Sequence, residues 1–399
     1  MKQIMTIAYY EAIHILKDKV LLLVVFIAPV LYAALFGMIY ISGTLQHVPL
    51  GIVDLDHSTE SRAVVSSFEN TDNFKIISGV TSYEDLEKGM KNGTVRAGVV
   101  IPKDYSQKLS QHQLTQISTV YDGSNLIYGY NTRRYFITML NTFSAEHTAS
   151  YLAGLGMTKR EITDVMDTVS YSMQVWYNPT YSYPTFIFIG MVVMILHQLG
   201  FLCIALTVTR EKEKNTWIQF LCSAIPQWKI FIGKALPYFI AGFFNFSLLL
   251  WVAVRFINVK FSGSLVLILL LGLLFNIIIT SSGFVVSLYA PNSLQVTRYL
   301  MLMSVPLFVI SGYTWPGAYI PKLLNGLARL MPYTWMAEGI RYVTVKNLGV
   351  DYLVTIISVL ALMAGGSSFL ALTFSKRRKP FAQDRPTVNS TSLIPKKGF

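Results

Sequence analysis

Long apolar segments alternate with polar ones along the chain, and six of them are long enough to cross a lipid bilayer. A membrane-spanning helix needs about 20 mainly apolar residues. We predict such helices at residues 20–41, 185–209, 230–254, 261–289, 298–314 and 352–374. Pro29 predicts a kink in the first span, which membranes tolerate when neighbouring helices bind the freed backbone groups. The pattern is typical of an α-helical integral membrane protein with six transmembrane helices.

The segment between the first two spans, residues 42–184, has the pattern of an inserted α/β domain. Apolar runs predict β-strands at 50–56, 74–78, 95–101 and 117–122. Helical patterns that begin with capping residues lie between the strands, at 59–70 and 82–92. This β-α-β-α-β order predicts a mixed sheet. Helical patterns over 124–173 then return the chain to the membrane.

Basic residues indicate which side of the membrane each end of a span faces. Six spans place both chain termini on one side, and that side holds Lys2, Lys17, Lys19, Arg210, Lys212, Lys214, Lys229, Lys234, Arg298 and the run KRRK at 376–379. The turn after the third span keeps only Arg255 and Lys260. By the positive-inside rule both termini are cytoplasmic and the domain at 42–184 is extracytoplasmic. We also predict a cytoplasmic helix at 1–19 and a disordered tail at 375–399.

Composition agrees with a membrane protein. Hydrophobic residues make up 53% of the chain and charged residues 14%, which excludes an ordinary soluble globular protein. The net charge of +12 does not indicate nucleic acid, because the basic residues gather at the ends of apolar runs. Cys203 and Cys222 form no metal motif, and the six histidines lack zinc-binding spacing. We therefore predict membrane lipids as partners, and neither nucleic acid nor a metal site.

Charges crowd in the middle of the chain only at residues 210–229, between the second and third spans. Within this segment Trp217, Phe220, Leu221 and Ala224 recur at the spacing of one helix face, and Pro226 closes the pattern. One interpretation is an interfacial helix whose aromatic face lies among the lipid headgroups. The other is a coupling helix that a soluble partner pushes. Periodicity by itself favours the interfacial helix.

Three stretches of the sequence resemble ABC-2 type permeases, the membrane subunits of ATP-driven exporters. The first resembles the cytoplasmic loop of that family and comprises Glu211, Lys212, Thr216, Leu221, Pro226, Gly233 and Lys234. The second, residues 9–37, is similar to the family's elbow helix and first span. The third, residues 306–342, is similar to its fifth span and the re-entrant hairpin that follows. The resemblance covers nearly the whole chain.

The resemblance implies a transport subunit whose energy comes from another protein. It implies that a dimer of a cytoplasmic ABC ATPase binds the loop, and the ATPase-coupling residues would be Glu211, Thr216, Trp217, Phe220, Leu221 and Pro226. Gly233-Lys234 lacks the upstream Gly and the following Ser or Thr of a phosphate-binding loop. We therefore predict no enzyme and no cofactor in this chain, with ATP and Mg²⁺ bound by the partner subunit.

The resemblance also implies in which membrane the protein acts and with which partner proteins. A second permease, a copy or a paralogue, would complete the pathway in the bacterial plasma (inner) membrane, and a periplasmic adaptor is a further candidate partner. The aromatic and methionine content of the spans favours export of an amphipathic or lipid-like substrate such as a drug. The alternative is a membrane-anchored receptor or scaffold that acts through its extracytoplasmic α/β domain.

Four polar residues fall inside predicted spans and are candidates for the pathway or its gating: His197, Gln198, Asn245 and Asn276. Polar groups at membrane depth are costly, so they bind a neighbouring helix or line a path. For each Asn the interhelical hydrogen bond is the favoured interpretation. For His197 both interpretations remain open, because its imidazole could touch substrate or carry a proton.

Two further gating candidates lie before the last span. Glu338 and Arg341 are three residues apart, a spacing that predicts an ion pair on a helix surface. Helix-breaking residues precede and surround them over 315–350, and such breaks at membrane depth need shelter from protein or a water-filled cavity. We predict a re-entrant hairpin that dips back from the outer face. The resemblance implies that Glu338 and Arg341 end this hairpin at the outer mouth of the pathway.

The sequence DLDHS contains three side chains that often bind metals: Asp54, Asp56 and His57. A strand that ends in Asp and enters a helix through Ser58 or Thr59 is explained by turn and cap chemistry alone. We therefore predict a structural role for this segment.

Overall fold

The computed structural model describes residues 1–40, 45–111, 113, 115–166, 176–179, 182–259, 261 and 263–377. The chain divides into two compact units. One comprises Met1–Ile41 together with Ser182–Phe399, and the other comprises Ser42–Tyr181. The first is built from helices, and the second is built on a β-sheet.

Three helices begin the chain: α1 (Lys2–Lys17), α2 (Lys19–Leu22) and α3 (Ala28–Tyr40). A π-helical segment, Leu23–Ile27, joins α2 to α3. Asp18 separates α1 from α2 and caps α2, because its carboxylate accepts hydrogen bonds from the N–H groups of Val20 and Leu21. The first apolar span therefore begins at Lys19, directly after this cap.

The second unit contains a four-stranded mixed sheet. Its strands are β1 (Val48–Asp54), β2 (Phe74–Ile76), β3 (Ala97–Ile101) and β4 (Ser118–Tyr121). They lie in the order β2-β1-β3-β4, with β1 parallel to β2 and β3, and β4 antiparallel to β3. The register places Gly51 beside Gly98 and Gly98 beside Val120.

Within the described residues of this unit five helices accompany the sheet: α4 (Thr59–Glu69), α5 (Tyr83–Asn92), α6 (Tyr105–Ser110), α7 (Leu126–Gly154) and α8 (Lys159–Met166). Leu86 of α5 packs onto the two adjacent glycines, and a Cβ at Gly51 or Gly98 would lie 2.9 or 2.7 Å from its side chain. Because adjacent strand residues point to opposite faces, a second cluster forms on the other face around Phe68 and Phe136, contributed by α4 and α7.

The end of β1 confirms the predicted turn and cap chemistry. Asp54 accepts hydrogen bonds from the backbone N–H groups of Asp56 and His57, at 3.0 and 3.1 Å. Ser58 caps α4 by accepting a hydrogen bond from the N–H of Ser61. Hydrogen bonds from neighbouring serines lower the pKa of the Asp56 carboxyl, with Ser58 the largest cause. These side chains hold the turn in place.

The remaining helices lie in the helical unit. They are α9 (Tyr183–Ile195), α10 (Phe201–Glu213), α11 (Trp217–Cys222), α12 (Gln227–Arg255), α13 (Leu265–Tyr289), α14 (Ser293–Ile310), α15 (Lys322–Arg329), α16 (Pro332–Thr344) and α17 (Val350–Arg377). A second π-helical segment, Leu196–Gly200, joins α9 to α10. A 3₁₀ turn, Gly317–Tyr319, precedes α15.

Six helices within the described residues are long and apolar enough to cross a membrane, the number predicted from the sequence. They cover Lys19–Ile39, Tyr183–Glu213, Gln227–Arg255, Leu265–Tyr289, Ser293–Ile310 and Val350–Ser375. The second is longer than predicted, because the charged residues after position 209 continue the helix. The helix at the last span likewise continues to Arg377, so it enters the predicted tail, whose residues 378–399 lie outside the described residues.

Helix α13 is central in this unit and packs against α10, α12, α16 and α17. Its glycines let neighbours approach: a Cβ at Gly272 would overlap the ring of Phe246 on α12, and one at Gly283 would overlap Ile204 on α10. Helices α14 and α17 instead expose much of their apolar surface. The core therefore lies around α13, between the end of α10 and the middle of α12.

Candidate coupling site

Charged side chains at the end of α10 bind different neighbouring elements. Arg210 Nη1 lies 3.0 Å from Asp18 Oδ2, at the junction of α1 and α2. Glu211 Oε1 lies 2.5 Å from Lys234 Nζ on α12. These two ion pairs hold the end of α10 to the N-terminal helices and to the third span.

The next two charges bind helix ends. Lys212 Nζ donates to three carbonyl oxygens at the end of α13, those of Ser287 (2.9 Å), Leu288 (2.5 Å) and Ala290 (3.1 Å). The last turn of a helix leaves carbonyl groups unbound, and a Lys there satisfies them and suits the helix dipole. Glu213 accepts hydrogen bonds from the N–H and hydroxyl of Ser293, which begins α14, at 2.6 and 2.9 Å. The end of α10 is therefore joined to five other helices, α1, α2, α12, α13 and α14.

A buried ion cluster lies at the centre of this junction. Lys234 is 1% exposed, and its Nζ lies 2.8 Å from Oε2 of Glu11, which is 7% exposed. The other Glu11 oxygen accepts hydrogen bonds from the hydroxyls of Thr207 (2.6 Å) and Tyr238 (3.0 Å). The groups come from α1, α10 and α12, so the cluster cross-links three helices.

The charges of the cluster depend on one another. Burial opposes ionisation of Glu11, but the ammonium of Lys234 and the hydrogen bonds it receives lower the pKa of this carboxyl below its usual range. Lys234 also pairs with Glu211, whose second oxygen is buried without a hydrogen-bond partner among the described residues. One ammonium thus compensates two carboxylates in a site of low dielectric constant, where removing a partner is costly.

Sequence reasoning missed most of this cluster. The sequence pattern marks Lys234 only as a topology signal and as part of a resemblance, and it does not single out Glu11. Two signals could have indicated them: a lysine inside an apolar run, and a glutamate on the buried face of α1, one turn from Ala8 and Ile15. At Gly233 a Cβ would lie 2.7 Å from the Cβ of Ile7. This close approach brings α1 and α12 near enough for the ion pair.

Helix α11 is shorter than the sequence pattern predicts. It ends at Cys222 because Ser223 is extended, so Ala224 lies beyond it and does not extend the predicted face. Trp217 is buried, and its ring centroid lies 5.9 Å from that of Phe220, which packs against the same internal cluster. This corrects the interfacial interpretation, in which the aromatic face pointed toward lipid headgroups.

The other predicted coupling residues lie around α11. Leu221 packs beside Phe220, Thr216 precedes the helix and its hydroxyl donates to the Glu211 carbonyl (3.3 Å), and Pro226 precedes α12. A cleft of about 450 Å³ lies between α1, α10, α11 and α12. Glu211, Thr216 and Phe220 line it. Half of the sequence-predicted set therefore lines the cleft, whereas Trp217, Leu221 and Pro226 lie beside it and are not among the lining residues.

Both asparagines within spans bind neighbouring helices. Asn245 Nδ2 donates to the carbonyl of Val25 at 2.7 Å, and Asn276 Nδ2 donates to the carbonyl of Phe239 at the same distance. This is the interpretation favoured from the sequence for each Asn. Gly242 makes room for Asn276, since a Cβ there would overlap its amide oxygen.

His197 and Gln198 lie in the second π-helical segment, Leu196–Gly200. The imidazole of His197 lies among aromatic rings, with centroids 5.9 Å from Phe201, 6.3 Å from Phe275 and 5.6 Å from Tyr333. Gln198 is half-buried. These contacts place the half-buried His197 beside the core of the helical unit, and its role in transport stays a prediction.

The predicted ion pair between Glu338 and Arg341 is wrong within the part of the chain described. Glu338 accepts a hydrogen bond from the hydroxyl of Tyr342 at 2.8 Å. Arg341 instead donates to the carbonyls of Gly312 and Tyr313 and lies 4.0 Å from the centroid of the Tyr313 ring. The chain reversal after α14 presents carbonyls and a ring to the guanidinium, and sequence spacing cannot show this.

Comparison with known proteins agrees with this architecture. The family described as ABC-2 family transporter protein matches residues 19–374. The probable multidrug ABC transporter permease YbhR of Escherichia coli (strain K12) is 23% identical over 331 residues, covering 82% of this chain and 86% of that protein. The linearmycin resistance permease protein LnrN of Bacillus subtilis (strain 168) is 21% identical over 398 residues, covering 94% of this chain and 98% of that protein. The chain therefore belongs to the ABC-2 transporter family and is a membrane permease of that family.

Proposed function

We propose that this permease is the membrane subunit of an exporter driven by a separate dimer of ABC ATPase subunits. The observation that carries the proposal is the junction at the end of α10. It connects the end of α10, which leads directly into the short surface helix α11, to the helices of several spans through buried charges and helix-end hydrogen bonds. A force on α11 would reach those spans together.

The two sides of α11 support this role differently. Trp217 faces the core and fixes the helix to the spans. Ile218 is 53% exposed, and Gln219 and Cys222 are exposed beside it. An exposed isoleucine on a short, rigidly seated helix offers a small apolar contact to a partner. We therefore assign ATPase binding to the Ile218 side, and transmission to the Trp217 side and the ion cluster.

The proposed setting follows from the family and the charge pattern. Both termini and α11 would lie in the cytoplasm, the sheet-containing unit would lie outside, and the segment around α15 would form the re-entrant hairpin. A second permease, a copy or a paralogue, would complete the pathway in the plasma membrane. An adaptor outside the membrane is compatible with this arrangement. The relatives' names, multidrug and linearmycin resistance, support an amphipathic substrate.

Co-purification of the ATPase tests the proposal. The tagged protein is purified in mild detergent from its host, its partners are identified by mass spectrometry, and ATP hydrolysis is measured. We expect an ATPase subunit in near-equal amount with the wild type. Ile218→Asp should lose most of this subunit and of the ATP hydrolysis while keeping its melting temperature, because the change places a charge at the proposed contact without disturbing the core.

The control is Val165→Asp, which alters an aliphatic side chain of similar exposure, 51%, on α8 in the other unit. It should retain the ATPase subunit. Equal recovery with Ile218→Asp and wild type would assign the contact elsewhere. A wild-type protein that comes out without any ATPase and hydrolyses no ATP would overturn the exporter and favour a receptor or scaffold acting through the sheet-containing unit.

A further inference from the structure

A small cavity lies where three spans meet. Its volume is about 20 Å³. The two π-helical segments, Leu23–Ile27 and Leu196–Gly200, contact each other beside it, and α12 forms the third wall with Ala241 and Asn245. π-Helical segments are rare, and they occur frequently at functional sites. Because two π-helical segments line the same cavity, we take this cavity as a candidate functional site of the helical unit.

Asn245 joins the third span to the first at this cavity. Its amide nitrogen donates to the carbonyl of Val25 at 2.7 Å. That carbonyl cannot make the ordinary α-helical hydrogen bond, because the residue four positions later is Pro29, which has no N–H. The asparagine therefore supplies a donor that the sequence of the first span removes.

The amide oxygen of Asn245, unlike its amide nitrogen, has no hydrogen-bond partner among the described residues. The residue is 6% exposed, and its Oδ1 is buried without a hydrogen-bond partner among the described residues. Asn245 itself lines the cavity. A buried acceptor without a donor is costly, and such groups in proteins are usually satisfied by protein or by ordered water.

We propose that this cavity is a binding site for one ordered water molecule. The water donates one hydrogen bond to Asn245 Oδ1, the buried acceptor that has no partner among the described residues. The volume suits this ligand, since one water needs about 10–15 Å³ and several polar partners. A purely apolar cavity of this kind would stay dry.

The site has a consequence for movement of the spans. A water molecule exchanges hydrogen-bond partners without moving a side chain. A water at this place would therefore keep the Asn245 oxygen satisfied while the spans beside it move.

A matched pair of substitutions at Ala241 tests the site. Ala241 lies one helical turn before Asn245, so the two face the same side of α12. Ala241→Thr and Ala241→Val introduce side chains of nearly equal shape that displace the water. Only Thr brings a hydroxyl that can donate to Asn245 Oδ1. We expect the Val variant to melt about 2–4 °C below the Thr variant.

The control repeats the pair in an Asn245→Leu background, where the difference between Thr and Val should disappear because the acceptor is gone. Equal melting temperatures of the two variants in the wild-type background would overturn the proposal. Because both variants displace the water, the water itself is tested in the wild type, by an electron-density or cryo-electron microscopy map of the protein in lipid nanodiscs. Density for one water within hydrogen-bond distance of Asn245 Oδ1 supports the site, and a map that resolves waters elsewhere but none there overturns it.

Discussion

Polar side chains inside the helical unit act as cross-links between helices. Lys234 shows this most clearly, because its carbon chain and ammonium are both removed from the surface and bind carboxylates from two other helices. Asn245 and Asn276 do the same with backbone carbonyls. Each contact replaces water that the interior excludes, so its loss leaves a buried group unpaired.

The ion cluster makes the first prediction. Lys234→Met should destabilise the protein by about 3–5 kcal/mol, because it leaves Glu11 buried without its counter-ion. The measurement is thermal unfolding in detergent, followed by size-exclusion chromatography. Lys229→Met on the same helix is the matched control, because Lys229 binds Gln3 at the surface and lies 5.6 Å from the centroid of the Trp228 ring, with no buried carboxylate as a partner among the contacts described. It should change stability by less than about 0.5 kcal/mol. Equal melting temperatures for the two variants would show that the cluster contributes little.

Helices in this protein are positioned by glycines that admit a neighbour's side chain. The chain reversal between α14 and α16 is held to α9 in this way. The ring of Tyr313 fills the space over Gly190, and its hydroxyl donates to the carbonyl of Phe186 at 2.6 Å. Arg341 covers the same ring from α16. This segment is thus attached to the second span by one aromatic side chain and its partners.

Gly190→Ala tests that attachment. A Cβ at this position would overlap the Tyr313 ring, so the ring must move and the variant should lose about 1–3 kcal/mol of stability. The free energy of unfolding is compared with that of Gly365→Ala. No described atom lies within 4 Å of a Cβ at Gly365, so this variant should be neutral or slightly more stable. A Gly190→Ala protein as stable as the control would mean that the segment is not anchored through Tyr313.

The molecule as a whole consists of a helical unit and a sheet-containing unit. Its orientation in the membrane rests on the distribution of basic residues and on the family. Native cysteines offer a direct test, because Cys203 is buried and Cys222 is exposed. A reagent that cannot cross the membrane therefore reports on one thiol at a known element, the end of α11.

We expect a membrane-impermeant maleimide to label Cys222 in inside-out vesicles and not in right-side-out vesicles, because α11 is proposed to be cytoplasmic. In a Cys222→Ser background, Lys88→Cys on the exposed surface of α5 should show the reverse pattern. The reverse result for both positions would invert the proposed topology. If both positions were labelled in the same kind of vesicle, α11 and the sheet-containing unit would lie on the same side of the membrane.

Sequence patterns were sufficient for the features that depend on neighbours along the chain. Apolar length predicted six membrane-spanning helices, because a bilayer imposes a minimum length on any span. Asp54 and Ser58 indicated a turn and a helix cap, since these bonds close within a few residues. The stretches around Glu211 were enough to suggest the family that the comparison confirmed.

Contacts between distant residues could not be predicted in the same way. Lys234 follows the pattern of a topology signal and becomes a buried counter-ion only because α1 and α10 pack against α12. The spacing of Trp217 is that of an interfacial helix face, yet in the structure α11 is placed so that Trp217 is buried in the core. Arg341 does not pair with Glu338 and instead donates to backbone carbonyls that the chain reversal after α14 brings near it. In each case the partner is far away in sequence, and burial together with packing selects it.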